Sequence, residues 1–158
     1  MPEPVSISDD LNDVIRLLIA HDVDYLIVGS YVLALYVVPR ATKDIDFFVR
    51  KSTENVGRLA SALKEIGITI PEPSQVEFVN LDDGMMTIGM SPNRVDFLNH
   101  IKGIEFDSAW EKRVKAQIGT QRAWFISRED YIASKRAAGR TSDLQDLALI
   151  EKYEGKKP

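Results

Sequence analysis

Residues 25–50, YLIVGSYVLALYVVPRATKDIDFFVR, constrain the fold of this chain more than any other stretch. The apolar run Tyr25-Leu26-Ile27-Val28 ends at Gly29-Ser30. A short apolar segment follows, then a basic loop carrying Arg40 and Lys43, then Asp44-Ile45-Asp46-Phe47-Phe48-Val49. The order predicts strand, turn, helix from Tyr31 to about Val37, loop and second strand. Gly29 permits a tight turn and the close approach of a ligand. A helix starting there presents free N–H groups and the positive end of its dipole to anions. Ser30 can cap that helix and donate to an anionic oxygen. Taken alone, a Gly-Ser pair is also what an ordinary strand-to-helix turn contains.

On a strand, side chains alternate between faces, so Asp44 and Asp46 point one way and Ile45 and Phe47 the other. Two carboxylates on one face repel each other unless a cation lies between them. Hard oxygen donors of this kind suit Mg²⁺, or Mn²⁺ in its place, together with substrate phosphates. The other reading is two solvated acids on an edge strand, against which stand the apolar flanks Ile45, Phe47, Phe48 and Val49. Arg94-Val95-Asp96-Phe97-Leu98 repeats the alternation. Placed beside the first strand, it would bring Asp96 to the face of Asp44 and Asp46; on its own, Asp96 equally suits a solvent-facing position. Three converging carboxylates can hold divalent cations, and one can take a proton from an attacking hydroxyl.

Gly29-Ser30, Asp44-x-Asp46 and the later Asp96 together resemble the DNA polymerase β-like nucleotidyltransferase superfamily. The run Arg40 to Asp46 and the distal segment Lys135 to Leu147, KRAAGRTSDLQDL, resemble its small bacterial branch, which includes AbiEii-type toxins. The resemblance implies an α/β (α+β) fold, a mixed β-sheet with packed helices. It also implies that Asp44, Asp46 and Asp96 bind Mg²⁺, with Asp96 helping to deprotonate the acceptor. Gly29 and Ser30 would cradle a nucleoside triphosphate, assisted by Lys135 and by Arg40 or Lys43. The expected reaction joins a nucleoside monophosphate to an acceptor hydroxyl of RNA, a protein or a small molecule and releases pyrophosphate. The toxin branch adds an antitoxin partner, and a homo-oligomer would be one source of acceptor-binding surface. The alternative is a non-catalytic nucleotide-binding or interaction module on the same fold.

The remaining elements read as scaffold. Leu11, Val14, Ile15 and Leu18 predict a helix over 8–21, and Leu59, Leu63 and Ile66 another ending at Gly67. Pro71 and Pro73 precede an expected strand over 76–80, and Asp82-Asp83-Gly84 an expected hairpin turn into a strand over 85–90. Residues 122–126 read as a last strand, with Trp110 and Trp124 as core anchors. A helix capped by Ser127 should end at Gly139, and Ser142-Asp143-Leu144-Gln145 should open a final helix with Asp143 at its first position. Asp143 and Asp146 share a face there and suit structural roles, with Asp146 pairing with Lys135 or Arg140.

A length of 158 residues predicts one domain over 1–158, and 44% apolar with 28% charged content is ordinary for a soluble globular chain. No cysteine is present, so neither a disulfide nor a thiolate metal site is available, which suits a cytoplasmic home. Glu3, Asp9 and Asp10 are unlike a signal peptide, and the uncharged run that begins at Tyr25 is too short to span a bilayer. Residues 1–99 hold 8 Lys+Arg and 15 Asp+Glu, a net of −7; residues 100–158 hold 12 and 9, a net of +3. The basic half is interspersed with acids in the manner of solvated helices and does not by itself predict RNA binding.

Overall fold

The computed structural model describes residues 5–37 and 44–153. Within them the chain forms α1 (Asp9–Ala20), β1 (Tyr25–Val28), α2 (Ser30–Tyr36), β2 (Ile45–Val49), α3 (Thr53–Lys64) and α4 (Glu72–Asn80). It continues through β3 (Met85–Ile88), β4 (Val95–Leu98), α5 (Phe106–Glu111), β5 (Val114–Ile118), β6 (Gln121–Phe125), α6 (Arg128–Ala138) and α7 (Thr141–Lys152). The strands form one mixed sheet in the order β3-β4-β2-β1-β6-β5. The central pair β1 and β2 is antiparallel, β2 and β4 run parallel, and β1 and β6 run parallel.

Side-chain alternation divides the interior in two. Tyr25, Ile27, Ile45, Phe47, Val49, Val95 and Phe97 pack with Leu11, Val14, Ile15 and Leu18 of α1 and with Val56, Leu59 and Leu63 of α3. Leu26, Val28 and Phe48 face the other way, against Val32, Leu33 and Tyr36 of α2, Ala109 of α5, Tyr131 of α6 and Ile150 of α7. Phe47 stacks on Phe97 across the parallel pair, with ring centroids 5.5 Å apart. The fully buried Asn55 ties the sheet to α3. Its amide accepts from the Asp24 N–H and donates to the carbonyls of Asp24 and Arg50, which satisfies three backbone groups where β1 begins and β2 ends.

Several elements form as their sequence dictates. Ser8 caps α1 and Ser127 caps α6, and Gly139 ends α6 in the left-handed conformation at φ +64°. Other elements depart from expectation. Residues 72–80 are helix α4, and no strand forms over 76–80. Pro71 takes the extended N-cap conformation and Pro73 lies in the first turn, where a missing N–H costs no hydrogen bond. The turn at 82–84 therefore joins a helix to β3, and β3, shorter than expected, pairs antiparallel with β4. Helix α5 and strand β5 were not expected; β5 and β6 form a hairpin about Gly119-Thr120, with Gly119 at φ +56°. The final helix starts two positions earlier than its Ser142 cap signal predicts, at Thr141 in place of Asp143. Arg140 is its N-cap and Asp143 its third residue, with the Arg140 N–H donating to Asp143 Oδ2 at 3.1 Å. Trp110 and Trp124 are only half-buried and hold the Arg113 guanidinium between them, 4.0 and 4.2 Å from their ring centroids.

Candidate active site

The C-terminal end of β1 and the N-terminal ends of β2 and β4 meet at one end of the central strands. Because β1 is antiparallel to β2, the last residue of β1, Val28, lies opposite Asp46, and because β2 is parallel to β4, Asp46 lies opposite Asp96. Both acids therefore project from adjacent positions on the α2 side of the sheet.

Between β1 and α2, Gly29 adopts φ +75° and ψ −150°, a region that side chains other than glycine rarely enter. It is the N-cap of α2, and Ser30 is the first helical residue, not the cap. The backbone passes so close to the acid that a Cβ on Gly29 would lie 2.2 Å from Asp46 Oδ2. Glycine is thus required twice, for its conformation and for the absence of a side chain. The consequence is direct contact between the turn and the carboxylate of Asp46.

The repulsion within the cluster is only partly relieved at Asp46. Its pKa is pushed up to about 6, first by burial, then by the charge of Asp96 and a hydrogen bond with it, with Asp44 adding and Arg94 opposing. Asp96 is 7% exposed; its Oδ1 accepts from Thr87 Oγ1 at 2.7 Å and its Oδ2 lies 3.4 Å from Arg94 Nη2. Asp44 precedes β2 and is held by the loop between β3 and β4. Ser91 Oγ donates to Asp44 Oδ2 at 2.8 Å, the Arg94 N–H donates to Asp44 Oδ1 at 3.1 Å, and Arg94 Nη2 stands 3.8 Å away. Tyr31, in the first turn of α2, has its pKa pushed up to about 12 by burial and by the charge of Asp44.

The structure therefore brings Gly29, Ser30, Asp46 and Asp96 to one place. It sets Asp44 at the same end with its carboxylate turned to Ser91 and Arg94. Among the described residues, no three His, Cys, Asp or Glu side chains are drawn together as a metal-binding cluster. Asp46 and Asp96 nonetheless fit a divalent cation: they are hard oxygen donors, side by side, with like charge that a cation would neutralise. Arg40 and Lys43 lie outside the described residues. Lys135 is placed between α6 and α7, with Nζ 3.0 Å from Asp146 Oδ2 and 3.3 Å from Asp143 Oδ1. Asp143, which is 1% exposed, also accepts from the Arg140 guanidinium at 2.7 Å. The pairing of Asp146 with Lys135 is as expected, while Asp143, expected at the first helical position, is instead the third residue of α7 and is paired with both Arg140 and Lys135. Thr87, Ser91 and Arg94 were not anticipated. For Arg94 the signal was present in its spacing, since it lies two residues before Asp96 and strand alternation puts both on one face.

Comparison with solved structures shows where this architecture recurs. TM1012 from Thermotoga maritima, named as a nucleotidyltransferase, aligns with a TM-score of 0.55 at 17% identity over 87% of this chain and 88% of its own. ANT(2″)-Ia, in its complex with adenylyl-2″-tobramycin, aligns with a TM-score of 0.58 at 16% identity over 92% of this chain and 87% of its own. At such identities the likeness is one of fold, and it shows the nucleotidyltransferase fold expected from the motifs. No curated protein matches the chain at a significant level. Among the described residues, no helix is long and apolar enough to cross a membrane. A family model described as nucleotidyl transferase of unknown function (DUF2204) matches residues 7–157, nearly the whole chain, and the protein belongs to that family.

Proposed function

We propose that this protein transfers a nucleoside monophosphate from a nucleoside triphosphate to an acceptor hydroxyl in a Mg²⁺-dependent reaction. The observation that carries the reading is the contact of the Gly29 turn with Asp46, and of Asp46 with Asp96, at one end of the central strands. This is the geometry that a phosphate-binding turn beside a pair of cation-holding carboxylates would need. The bound cation would supply charge neutralisation at the triphosphate and the acceptor oxygen, held by Asp46 and Asp96 with Asp44 beside them.

The chain's own groups divide the remaining work. Gly29 and Ser30 present the start of α2 to the triphosphate. Asp96, oriented by Thr87, takes the proton of the acceptor hydroxyl. The acceptor oxygen attacks the α-phosphorus, the bond to the bridging oxygen of the β-phosphate breaks, and pyrophosphate leaves. Catalysis is then mostly positioning and electrostatic stabilisation, as in phosphoryl transfer generally. In this reading Lys135 serves the phosphates by exchanging Asp143 and Asp146 for ligand, and Arg40 and Lys43 supply further cations.

A second reading, a nucleotide-binding or interaction module without turnover, is favoured by one observation: Asp44 is already satisfied by Ser91 and Arg94. One experiment separates the two. The protein is incubated with each α-phosphate-labelled nucleoside triphosphate, Mg²⁺ and, in turn, total RNA, lysate protein and an aminoglycoside. The last belongs in the set because ANT(2″)-Ia is seen with an adenylylated one. Label transferred to any acceptor supports transfer and names the acceptor class; transfer to RNA or protein that arrests growth would support the toxin role. Nucleotide binding with no labelled product in any arm would overturn the enzymatic reading.

A further inference from the structure

Arg94 stands among the acids without completing any of them. It immediately precedes β4, and its carbonyl accepts from the Ile45 N–H at 3.0 Å, so the β2–β4 ladder runs through it. Alternation then places its side chain on the face of Asp96. Its Nη2 lies 3.8 Å from Asp44 Oδ2 and 3.4 Å from Asp96 Oδ2, too far for a tight fork onto either carboxylate, and 44% of the side chain is exposed. It is a loosely held cation bridging two acids. The acids keep their places by other atoms: Asp44 through Ser91 Oγ and the residue-94 N–H, Asp96 through Thr87 Oγ1. Charge and position are therefore carried by different groups, and any substitution at 94 except proline keeps the backbone donor.

We propose that Arg94 is the resident counter-cation of this site, which neutralises the acids in the metal-free protein and is displaced when a divalent cation enters. The inference rests on the metal-dependent reading above and adds a regulatory device to it. A single charge and a double charge compete at Asp96, the carboxylate that both would engage, with Asp44 beside it. By linkage, whatever the guanidinium contributes to the metal-free state it subtracts from metal affinity. The arrangement would offset the mutual repulsion of the acids before substrate arrives. It would also set the metal affinity low enough for the cation to enter together with the triphosphate.

The test is Mn²⁺ binding to the full chain, read by paramagnetic resonance, for wild type, Arg94→Gln and Arg94→Lys, with circular dichroism as the check on folding. Arg94→Gln should bind Mn²⁺ at least about fivefold more tightly, the low end for one unit charge about 4 Å away in water. Arg94→Lys should stay near wild type, and added salt should narrow the gap. Arg94→Met, which keeps length and loses charge, carries the same expectation should Arg94→Gln not fold. A wild type that binds Mn²⁺ with charge-removed variants that bind it equally or more weakly would overturn the displacement and leave the metal-dependent reading standing. No Mn²⁺ bound by any form, with or without ATP, would overturn that reading and this inference with it.

Discussion

Replacing Gly29 by alanine should damage this protein twice through one methyl group. The backbone at φ +75° and ψ −150° is nearly closed to residues with a Cβ, which by itself costs about 1–3 kcal/mol. The added carbon would also sit 2.2 Å from Asp46 Oδ2, and the Asp46 carboxyl carbon is only 3.1 Å away. Asp46 lies between β1 and β4 and has little room to yield, so it must leave its rotamer at a further cost of about 0.5–1.5 kcal/mol. A total near 2–4 kcal/mol should lower the melting temperature by about 5–15 °C for a chain of this size. Calorimetric or dichroic melts measure it. Gly57→Ala is the matched control: it is in α3, its Cβ would meet nothing within 4 Å, and it should stabilise by about 0.5–1 kcal/mol. Adding Asp46→Ala to Gly29→Ala removes the two nearer contacts, those with the carboxylate, and leaves the residue-46 Cβ at 3.3 Å and the backbone strain. The double variant should therefore be more stable than additivity predicts by at least about 0.5 kcal/mol. Gly29→Ala melting with wild type, or additivity in the double variant, would refute the close-contact argument.

Asp46→Asn should abolish Mg²⁺-dependent ATP binding in calorimetry while the metal-free protein melts no lower than wild type, because a neutral amide removes the repulsion from Asp96; undiminished binding would remove Asp46 from the metal site. Asp96→Asn should still bind nucleotide but turn over about a hundredfold more slowly, consistent with loss of a positioned proton acceptor, and unchanged turnover would make Asp96 a strand residue only. If Lys135 serves the phosphates, Lys135→Ala should weaken ATP by about 1.5–3 kcal/mol and spare adenosine; equal losses for both would leave it the structural partner of Asp143 and Asp146. Asp143 has its pKa lowered to about 2, chiefly by the Arg140 guanidinium, so its folded-state value lies below its ordinary one. Its contribution is full above about pH 4 and is lost as pH falls through about 2. The stability gap between wild type and Asp143→Asn should therefore narrow across that window, and a gap that stays constant would count against the Arg140 pairing.

The local order of residues 25–50 determined much of the candidate site in advance. An apolar run, a Gly-Ser pair and alternating acids can be read as strand, turn and strand because each depends on short-range sterics and on a two-residue period. Helices α1 and α6 were legible for the same reason, α1 from the helical spacing of Leu11, Val14, Ile15 and Leu18, and α6 from the Ser127 cap and Gly139 stop, which lie within a few residues of the groups they satisfy. The reading of 76–80 as strand failed because Val76, Phe78 and Val79 suit a strand by propensity, while Pro71 and Pro73 open a helix just upstream. Only tertiary structure decided that β2 pairs parallel with β4 in a register that sets Asp46 against Asp96 and not one residue away. A slip of one position would have turned Asp96 into the opposite core, and nothing in either strand alone forbids it. Tertiary structure also turned Asp44 toward Ser91, set Arg94 between the acids and paired Lys135 with Asp143 and Asp146. Those outcomes depend on where a loop forty-odd residues away and a distal helix come to rest. Long-range packing settles such placements, and no pattern of neighbouring side chains encodes them.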